Sequence, residues 1–528
     1  MTTSPMPPEA ASRESFTASG SLPSIHAVYE DPRRLNKWTT EYPTRVGPPA
    51  EDVESARHAL VARYKLSDDP SKSLDLHSIV VQSQLLKDSL ARVLNNYPGV
   101  TTELERVEFN APFECFVHRW EQLCDERDAL IRRTQDGSLE DVTMQKQTAT
   151  HLKLLCSTLE SELGLVIREK KDLVTHGVMK YEKVWTLFEP GCLIYQQSDE
   201  QDRVYKLKTA KFTTNNGSNV YQLDCQYVDY DGTKFGYNNK TLNITEYRGT
   251  KRITDFEAYP LEFHRDFDGL KTRLIERGRI FEAYKGYHFV GYDGIAIGKT
   301  NRGEQKYNVK SRIIVDGYSF SRYSQKVTLG NIETPVLPSD NTNVNAGEET
   351  DEDCVILDRN DGQKQSPTPV GKRPTVTVNS RFMLTQEQHL VASASVRGYS
   401  VRDKKWMNFL MSSITDITWN DDAFASLVAP QEQKDLILSF AESQVQNRKQ
   451  FDDFVEGKGQ GIIMLLAGPP GTGKTLTAES VAEAMRAPLY SIGVTDLGVK
   501  AATMETKLQD LLEMCAKWNA GNATRSYE

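Results

Sequence analysis

The chain has 528 residues, of which 38% are hydrophobic and 26% are charged, with a formal net charge of −9 at pH 7. These values are ordinary for a soluble globular protein of two to four domains. Seven scattered cysteines without a Cys-x-x-Cys pair argue against a disulfide framework or a zinc site. No apolar run approaches the roughly eighteen residues of a membrane span, and residues 1–20 lack a signal-peptide pattern. We therefore expect an intracellular protein without a membrane span, in the cytoplasm or nucleus.

The first part of the chain divides into two segments. Residues 1–74 carry many Pro, Ser, Thr and charged residues without a sustained hydrophobic period, which predicts a mostly disordered arm. Residues 75–180 follow a helical pattern, with apolar side chains at three- and four-residue steps: Leu152, Leu155, Cys156, Leu159, Leu163 and Val166. We interpret this region as a helical hairpin or short bundle that packs on its own domain. A coiled coil or oligomer contact is the alternative.

Residues 181–325 change to short alternating segments separated by Asn-Gly and Asp-Gly turns, which predicts a β-rich domain. Its Lys and Arg residues exceed its acidic ones, and they lie among tyrosines such as Tyr227 and Tyr259. Basic residues among aromatics can bind single-stranded nucleic acid. We prefer the interpretation that the tyrosines pack across the sheet and the charges are solvated, so nucleic acid is not an expected partner.

Residues 326–380 are predicted to be a flexible acidic linker. Most of its acidic residues lie within residues 340–361, and Pro, Ser, Thr and Gly follow. Because this segment and the β-rich domain carry opposite net charge, we hypothesise that the linker folds back onto that domain.

Residues 468–475 read Gly-Pro-Pro-Gly-Thr-Gly-Lys-Thr, a complete phosphate-binding loop. The apolar residues 462–467 before it predict a buried parallel strand, and the pattern over residues 474–486 predicts a helix. Strand, loop and helix together indicate a nucleotide site. The predicted nucleotide-binding residues are Gly468, Pro469, Pro470, Gly471, Thr472, Gly473, Lys474, Thr475 and Leu476.

The chemistry of this loop follows from its residue types. Glycines let successive backbone N–H groups point at phosphate oxygens, and the N-terminus of the following helix adds partial positive charge. By analogy with P-loop enzymes, the Lys474 ammonium would reach the β- and γ-phosphates, and the Thr475 hydroxyl would ligate Mg²⁺. The expected cofactors are ATP and Mg²⁺.

The order of segments around the loop resembles the opening of an AAA-type ATPase core. Residues 417–424, a helix after Pro430 and residues 461–475 follow one another as in that core. Three upstream segments, at residues 185–191, 398–406 and 456–461, are similar to a fungal group of AAA ATPases with an uncharacterised β-rich domain before a single core. The expected fold is multidomain α+β: a helical region, a β-rich domain and, over residues 381–528, the N-terminal part of a P-loop α/β domain.

The resemblance implies ATP binding and hydrolysis by a ring-forming motor that remodels an unknown protein partner. It implies that Lys474 and Thr475 are the phosphate and magnesium residues, and that the adenine lies near residues 421–424. It also implies a second strand at residues 489–492 and a helix that reaches Trp518.

An AAA core should then continue into an apolar strand that ends in Asp-Glu, but residues 519–528 are polar. The water-activating Glu, the γ-phosphate sensor, the arginine finger and the helical lid have no counterpart in this sequence, so no catalytic residue is assigned. A half-built sheet also predicts an unstable core. We favour a fragment or mis-spliced product of an active ATPase over a genuine short form.

Two function classes follow from these observations. The first is an AAA ATPase, or its nucleotide-binding front part. The second is a non-catalytic interaction or scaffolding protein in which the loop is vestigial or a nucleotide switch. A kinase or GTPase fits less well, because no Asn-Lys-x-Asp guanine motif follows the loop.

Overall fold

A computed structural model describes the fold over most of the chain. The described residues are 22–30, 37–40, 55–67, 72–133, 139–215, 217–300, 303–332, 370–376, 382–446, 464–469, 471–493 and 501–524. They divide into two compact units. The first unit holds residues 1–196, 206–225 and 241–265, and the second holds residues 197–205, 226–240 and 266–528. The predicted acidic segment 340–361 lies outside the described residues.

The first unit contains a five-stranded sheet. Its strands are β1 (Leu22–Glu30), β2 (Trp38–Thr39), β3 (His58–Leu66), β4 (Leu74–Val81) and β5 (Val107–Asn110), in the order β2-β1-β3-β4-β5. β1 and β3 are parallel, and β3 pairs antiparallel with β4. The prediction of a mostly disordered arm over residues 1–74 is therefore wrong for β1 to β3 and the start of β4. The apolar side chains of β1 and β3 are buried by packing against other elements, which a local hydrophobic period does not reveal.

In the described residues of the first unit, four helices accompany this sheet. They are α1 (Gln84–Val93), α2 (Glu114–His118), α3 (Trp120–Arg133) and α4 (Leu139–Thr175). Leu152, Leu155 and Leu159 of α4 share one hydrophobic core with Leu60 of β3 and Leu86 of α1. The predicted apolar stripe thus packs on its own domain. The region 75–180 is nevertheless not wholly helical, because β4 and β5 lie within it.

Among the described residues, the predicted β-rich region contributes strands to three further sheets. The strands of the first two, with β6 just before the region, are β6 (Val178–Lys180), β7 (Leu193–Ser198), β8 (Gln201–Asn215), β9 (Ser218–Tyr230), β10 (Phe235–Thr245), β11 (Thr250–Arg252) and β12 (Tyr259–Pro260). One sheet has the order β10-β9-β8-β7-β12, and β11 pairs with β6. The ring centroids of Tyr205 and Tyr227 lie 5.8 Å apart. Those of Tyr195 and Tyr259 lie 5.1 Å apart, which supports the packing interpretation of the strand tyrosines.

The second unit contains a sheet whose pairing closes on itself. The strands of this sheet and the helices around them are α5 (Phe267–Ala283), β13 (Tyr287–Thr300), β14 (Gly303–Asp316), α6 (Gly317–Tyr323), α7 (Gln386–Leu390), β15 (Ser395–Ser400), β16 (Lys405–Leu410) and β17 (Ile414–Thr415). The strand order is β14-β15-β16-β13-β17, and β13 also pairs with β14 along its whole length. The strands β14, β15, β16 and β13 therefore form a closed circuit of pairing.

This sheet corrects one sequence expectation. Residues 381–528 were predicted to form the ATPase core, yet β15, β16 and β17 belong to the sheet of β13 and β14. Met407 and Phe409 alternate with more exposed neighbours and are buried, as a strand period requires. The β-rich fold thus extends beyond residue 325. The sequence analysis missed this extension because strands separated by a long linker cannot be recognised as pairing partners from local pattern.

The last elements include the region around the loop. They are α8 (Gln431–Gln446), α9 (Lys474–Ala484), β18 (Leu489–Ile492), α10 (Ala501–Lys517) and β19 (Gly521–Thr524). The structure confirms four predicted elements: the helix after Pro430, the helix at Lys474, the strand at residues 489–492 and the helix that reaches Trp518. In contrast, β19 was not expected, and it pairs in parallel with β18. Backbone pairing does not require apolar side chains, so the polar sequence concealed this strand.

The buried strand predicted at residues 462–467 is not observed in the described part, residues 464–467. These residues carry no regular secondary structure, and Leu465 is 90% exposed. A buried parallel strand needs neighbours on both edges. Among the described residues β18 pairs only with β19, so nothing in that part of the chain holds residues 464–467 in a sheet.

Candidate functional site

The glycine-rich loop leads directly into α9. Gly473 is the N-cap of this helix, with φ 85°, and Gly471 has φ 84°. Both values lie in the left-handed region that side chains with a Cβ rarely adopt. The first-turn N–H groups of a helix have no acceptor within the helix and carry partial positive charge. The loop therefore presents donors and positive potential at its start, as an anion site requires.

The side chain of Lys474 folds over this loop. Its Nζ donates to the carbonyl oxygen of Gly468 at 2.6 Å and to that of Pro469 at 2.8 Å. The Thr472 hydroxyl donates to the same Pro469 oxygen at 2.9 Å. These contacts bring the ammonium back to the loop, where a phosphate oxygen could replace the carbonyl oxygens as its partner.

The remaining predicted site residues lie on either side of these contacts. Thr475 is half-buried in the first turn of α9, and Leu476 next to it is exposed. Pro470 lies outside the described residues. The positions and residue types fit a magnesium nucleotide, because the loop offers helix N–H donors, an ammonium and a hydroxyl in one turn of chain.

The segment expected near the adenine, residues 421–424, begins beside the other end of α9, as contacts of Asn420 and Asp421 show. The Asn420 N–H donates to Oε2 of Glu483 at 3.2 Å, and Arg486 lies 3.4 Å from Asp421. Glu483 is nine residues after Lys474, which corresponds to about 14 Å along a helix. The described contacts of this segment therefore do not bring it to the loop.

The region after the loop packs on the closed sheet of the second unit. The indole of Trp518 is 1% exposed and shares a core with Phe289, Ile314 and Tyr399 of that sheet. Leu511, Met514 and Cys515 of α10 lie in the same core. A half-built sheet predicted an unstable core; in the structure the upstream sheet covers this face of α10.

Polar contacts reinforce this packing at the end of β14. The buried carboxylate of Asp316 accepts hydrogen bonds from Trp518 Nε1 at 2.9 Å and from Lys517 Nζ at 3.1 Å. It also accepts from the N–H of Ser319 at 2.9 Å and thereby caps α6. A buried carboxylate requires several such donors. Asp316 thus joins the sheet to the end of α10.

A second contact joins the sheet to α9. The Arg312 guanidinium of β14 pairs with Glu483 Oε1 at 2.7 Å and lies 4.6 Å from the ring centroid of Trp419. An open cavity of about 660 Å³ adjoins this pair. Arg402 and Lys404 line it on the sheet side, and Glu479 and Ala482 line it on the α9 side.

Sequence reasoning did not identify Arg312, Asp316 or Glu483. Their partners lie far away in the chain, and each residue type is ordinary for an exposed strand end or helix face. The one available signal was that Trp518 ends an apolar stripe, which indicates burial but not the partner.

Comparison with protein families matched two parts of the chain. Residues 464–522 match the family model "ATPase family associated with various cellular activities (AAA)". Residues 169–265 match a model described as "Domain of unknown function (DUF7025)". The chain thus combines an AAA-type region with an uncharacterised upstream domain, and the AAA match suggests an ATPase-type function with nucleotide binding.

Comparison with curated proteins and with solved structures gave no match in either case. Over the described residues, none of the helices combines the length and apolarity that crossing a bilayer requires. Nor do the described His, Cys, Asp and Glu side chains gather in threes that could hold a metal ion.

Proposed function

We propose that residues 468–476 bind ATP together with Mg²⁺. The observation that carries this proposal is the position of Lys474, whose ammonium lies over a loop with left-handed Gly471 and Gly473 at the start of α9. Backbone N–H groups of the loop would hold the phosphates, Lys474 would exchange its carbonyl partners for phosphate oxygens, and the Thr475 hydroxyl would ligate Mg²⁺. The AAA match over residues 464–522 supports the same assignment.

ATP hydrolysis coupled to the remodelling of a protein partner is the finer part of the proposal. It is supported by the AAA match alone. The binding residues neutralise phosphate charge and orient the nucleotide, and no residue of this sequence is assigned to activate the attacking water. Assembly into a homo-oligomeric ring, membership of a fungal group and a cytoplasmic or nuclear location stay predictions.

Thermal unfolding tests nucleotide binding directly. A ligand at a hundred times its Kd stabilises the folded state by about 2.7 kcal/mol, so Mg-ATP should raise the Tm. Lys474→Ala should remove this rise, whereas Lys507→Ala, which changes an exposed lysine of α10, should keep it. An unchanged Tm of the parent protein at millimolar Mg-ATP would reject the proposal. Release of inorganic phosphate, measured in the same samples, tests the hydrolysis part.

A further inference from the structure

Arg312 joins the closed sheet to the helix that follows the loop. Its guanidinium lies between the Trp419 ring, at 4.6 Å, and Glu483 of α9, with a nitrogen to oxygen distance of 2.7 Å. The side chains of Arg312 and Glu483 are 32% and 20% exposed, so solvent screens this pair only in part.

Both carboxylate oxygens of Glu483 have partners. Oε1 pairs with Arg312, and Oε2 accepts the Asn420 N–H at 3.2 Å. The Trp419 ring packs against that of Phe289 of β13, with ring centroids 6.1 Å apart. The backbone of Gly371 also lies against Trp419, since a β-carbon built on Gly371 would be only 2.7 Å from Nε1 of Trp419. One carboxylate therefore connects α9 to a strand and to a segment that the sheet holds.

A cavity lies beside the pair between Arg312 and Glu483. The cavity of about 660 Å³ beside the pair leaves space between α9 and the turn that carries Arg402 and Lys404. A cavity removes packing contacts from the groups that line it, so the pair between Arg312 and Glu483 is one of the described contacts that position α9 on this side. Glu483 lies in the last turn of α9 and Lys474 is its first residue.

We propose that Arg312 is a positioning residue for the nucleotide site, acting through Glu483 on the orientation of α9. This inference rests on the proposed function of the loop. A helix behaves as a short rod, so a tilt of about 10° at Glu483 would displace the loop by about 2 Å over the roughly 14 Å between them. Such a displacement is large for a site that binds phosphate through several directed N–H groups.

Hydrogen exchange tests the anchoring without any nucleotide. Arg312→Gln and Glu483→Gln should each speed amide exchange in α9 by about fivefold, and the double variant should exchange no faster than either single variant. Arg312→Lys keeps the charge and should restore most of the protection. Arg402→Gln, an exposed arginine beside the same cavity, is the matched control and should exchange like the parent. Parent-like exchange in both single variants would overturn the proposal.

Affinity for a fluorescent, non-hydrolysable ATP analogue with Mg²⁺ tests the consequence. Arg312→Gln and Glu483→Gln should each raise the Kd about fivefold, although neither residue contacts the loop, and Arg312→Lys should recover most of the affinity. Unchanged Kd values in both Gln variants, with binding still dependent on Lys474, would reject the positioning role alone. If the parent binds no nucleotide, the proposed function fails, and the exchange rates alone then decide whether Arg312 anchors α9.

Discussion

The indole N–H of Trp518 donates a hydrogen bond to Oδ2 of Asp316 at 2.9 Å, although the two residues lie 202 positions apart. Asp316 ends β14, and Trp518 directly follows α10. The bond therefore connects the region that matches the AAA family to the sheet that precedes it. In the second unit, that sheet supplies part of the hydrophobic surroundings of the AAA-type region.

Trp518→Phe should destabilise the second unit by more than the loss of aromatic ring area alone would. The variant leaves the buried Asp316 carboxylate with one donor fewer, which costs about 1–3 kcal/mol beyond the lost packing. Urea unfolding followed by circular dichroism measures the change in the free energy of unfolding.

Trp406→Phe is the matched control for this variant. Trp406 packs edge-on against Trp518, with ring centroids 5.9 Å apart, but does not bond to Asp316. Its replacement removes ring area alone. Equal losses in the two variants would show that the hydrogen bond to Asp316 contributes nothing measurable.

Asp416→Asn should loosen the segment that leads from the sheet towards Trp419. The Asp416 carboxylate accepts from the Arg373 backbone N–H at 2.9 Å, and Lys372 Nζ lies 3.4 Å away. The N–H of Arg373, followed by the nearby Lys372, lowers the pKa of Asp416 below its usual 3.8. The folded state therefore binds the Asp416 carboxyl proton less tightly than the unfolded chain does. The stabilisation that the ionised Asp416 gives the folded state is present above about pH 3.8 and is lost as the pH falls through the lowered pKa.

The pH dependence of the Tm measures this effect. Below pH 3.8 the parent should lose stability faster than Asp416→Asn, and at neutral pH the variant should melt at the lower temperature. Asp293→Asn removes a surface pair with Lys310 instead and serves as the control. Identical pH profiles for parent and Asp416→Asn would contradict the prediction.

His118 should make the first unit sensitive to mild acid. Its Nδ1 lies 2.8 Å from the Tyr97 hydroxyl and its Nε2 2.9 Å from the Trp185 carbonyl oxygen. Burial lowers the pKa of His118 from 6.5 to about 4. The unfolded chain therefore takes up this proton first, and stability that is complete above about pH 6.5 is lost as the pH falls towards 4, by on the order of 3 kcal/mol.

Replacement of this residue isolates the effect. His118→Gln should flatten the unfolding free energy between pH 6.5 and 4, while His176→Gln, an exposed histidine, should leave the slope unchanged. If the unfolding free energy of His118→Gln still falls between pH 6.5 and 4, another group is responsible for the pH dependence.

The sequence predicted the elements whose pattern is local. The helix at Lys474, the strand at residues 489–492 and the helix before Trp518 have periodic apolar residues, and the structure contains all three. The positive-φ glycines follow from the loop motif itself. The identity and order of the site residues therefore needed no tertiary information, although their role in nucleotide binding stays a proposal.

Elements that depend on distant partners could not be predicted. The strand expected at residues 462–467 is not observed over residues 464–467, and β19 forms from a sequence without an apolar run by pairing in parallel with β18. Asp316 and Arg312 become important only through contacts with residues far along the chain. Such contacts depend on how the chain folds back, which local pattern does not encode.

Thr475→Ala should separate magnesium from phosphate binding. If the hydroxyl ligates Mg²⁺, its removal should reduce the affinity for Mg-ATP about tenfold and leave the weaker affinity measured in EDTA unchanged. Thr475→Ser keeps the hydroxyl and should bind like the parent. A similar loss in EDTA would indicate a packing role for the side chain.

Isothermal titration calorimetry of the full chain with a non-hydrolysable Mg-ATP analogue tests the central claim most directly. One site per chain should titrate with micromolar affinity, and Lys474→Ala should lower that affinity at least a hundredfold, because the ammonium is the one side-chain cation of the loop. Heat of binding that is absent in the parent, or unchanged in Lys474→Ala, would contradict the assignment of residues 468–476 as a nucleotide site.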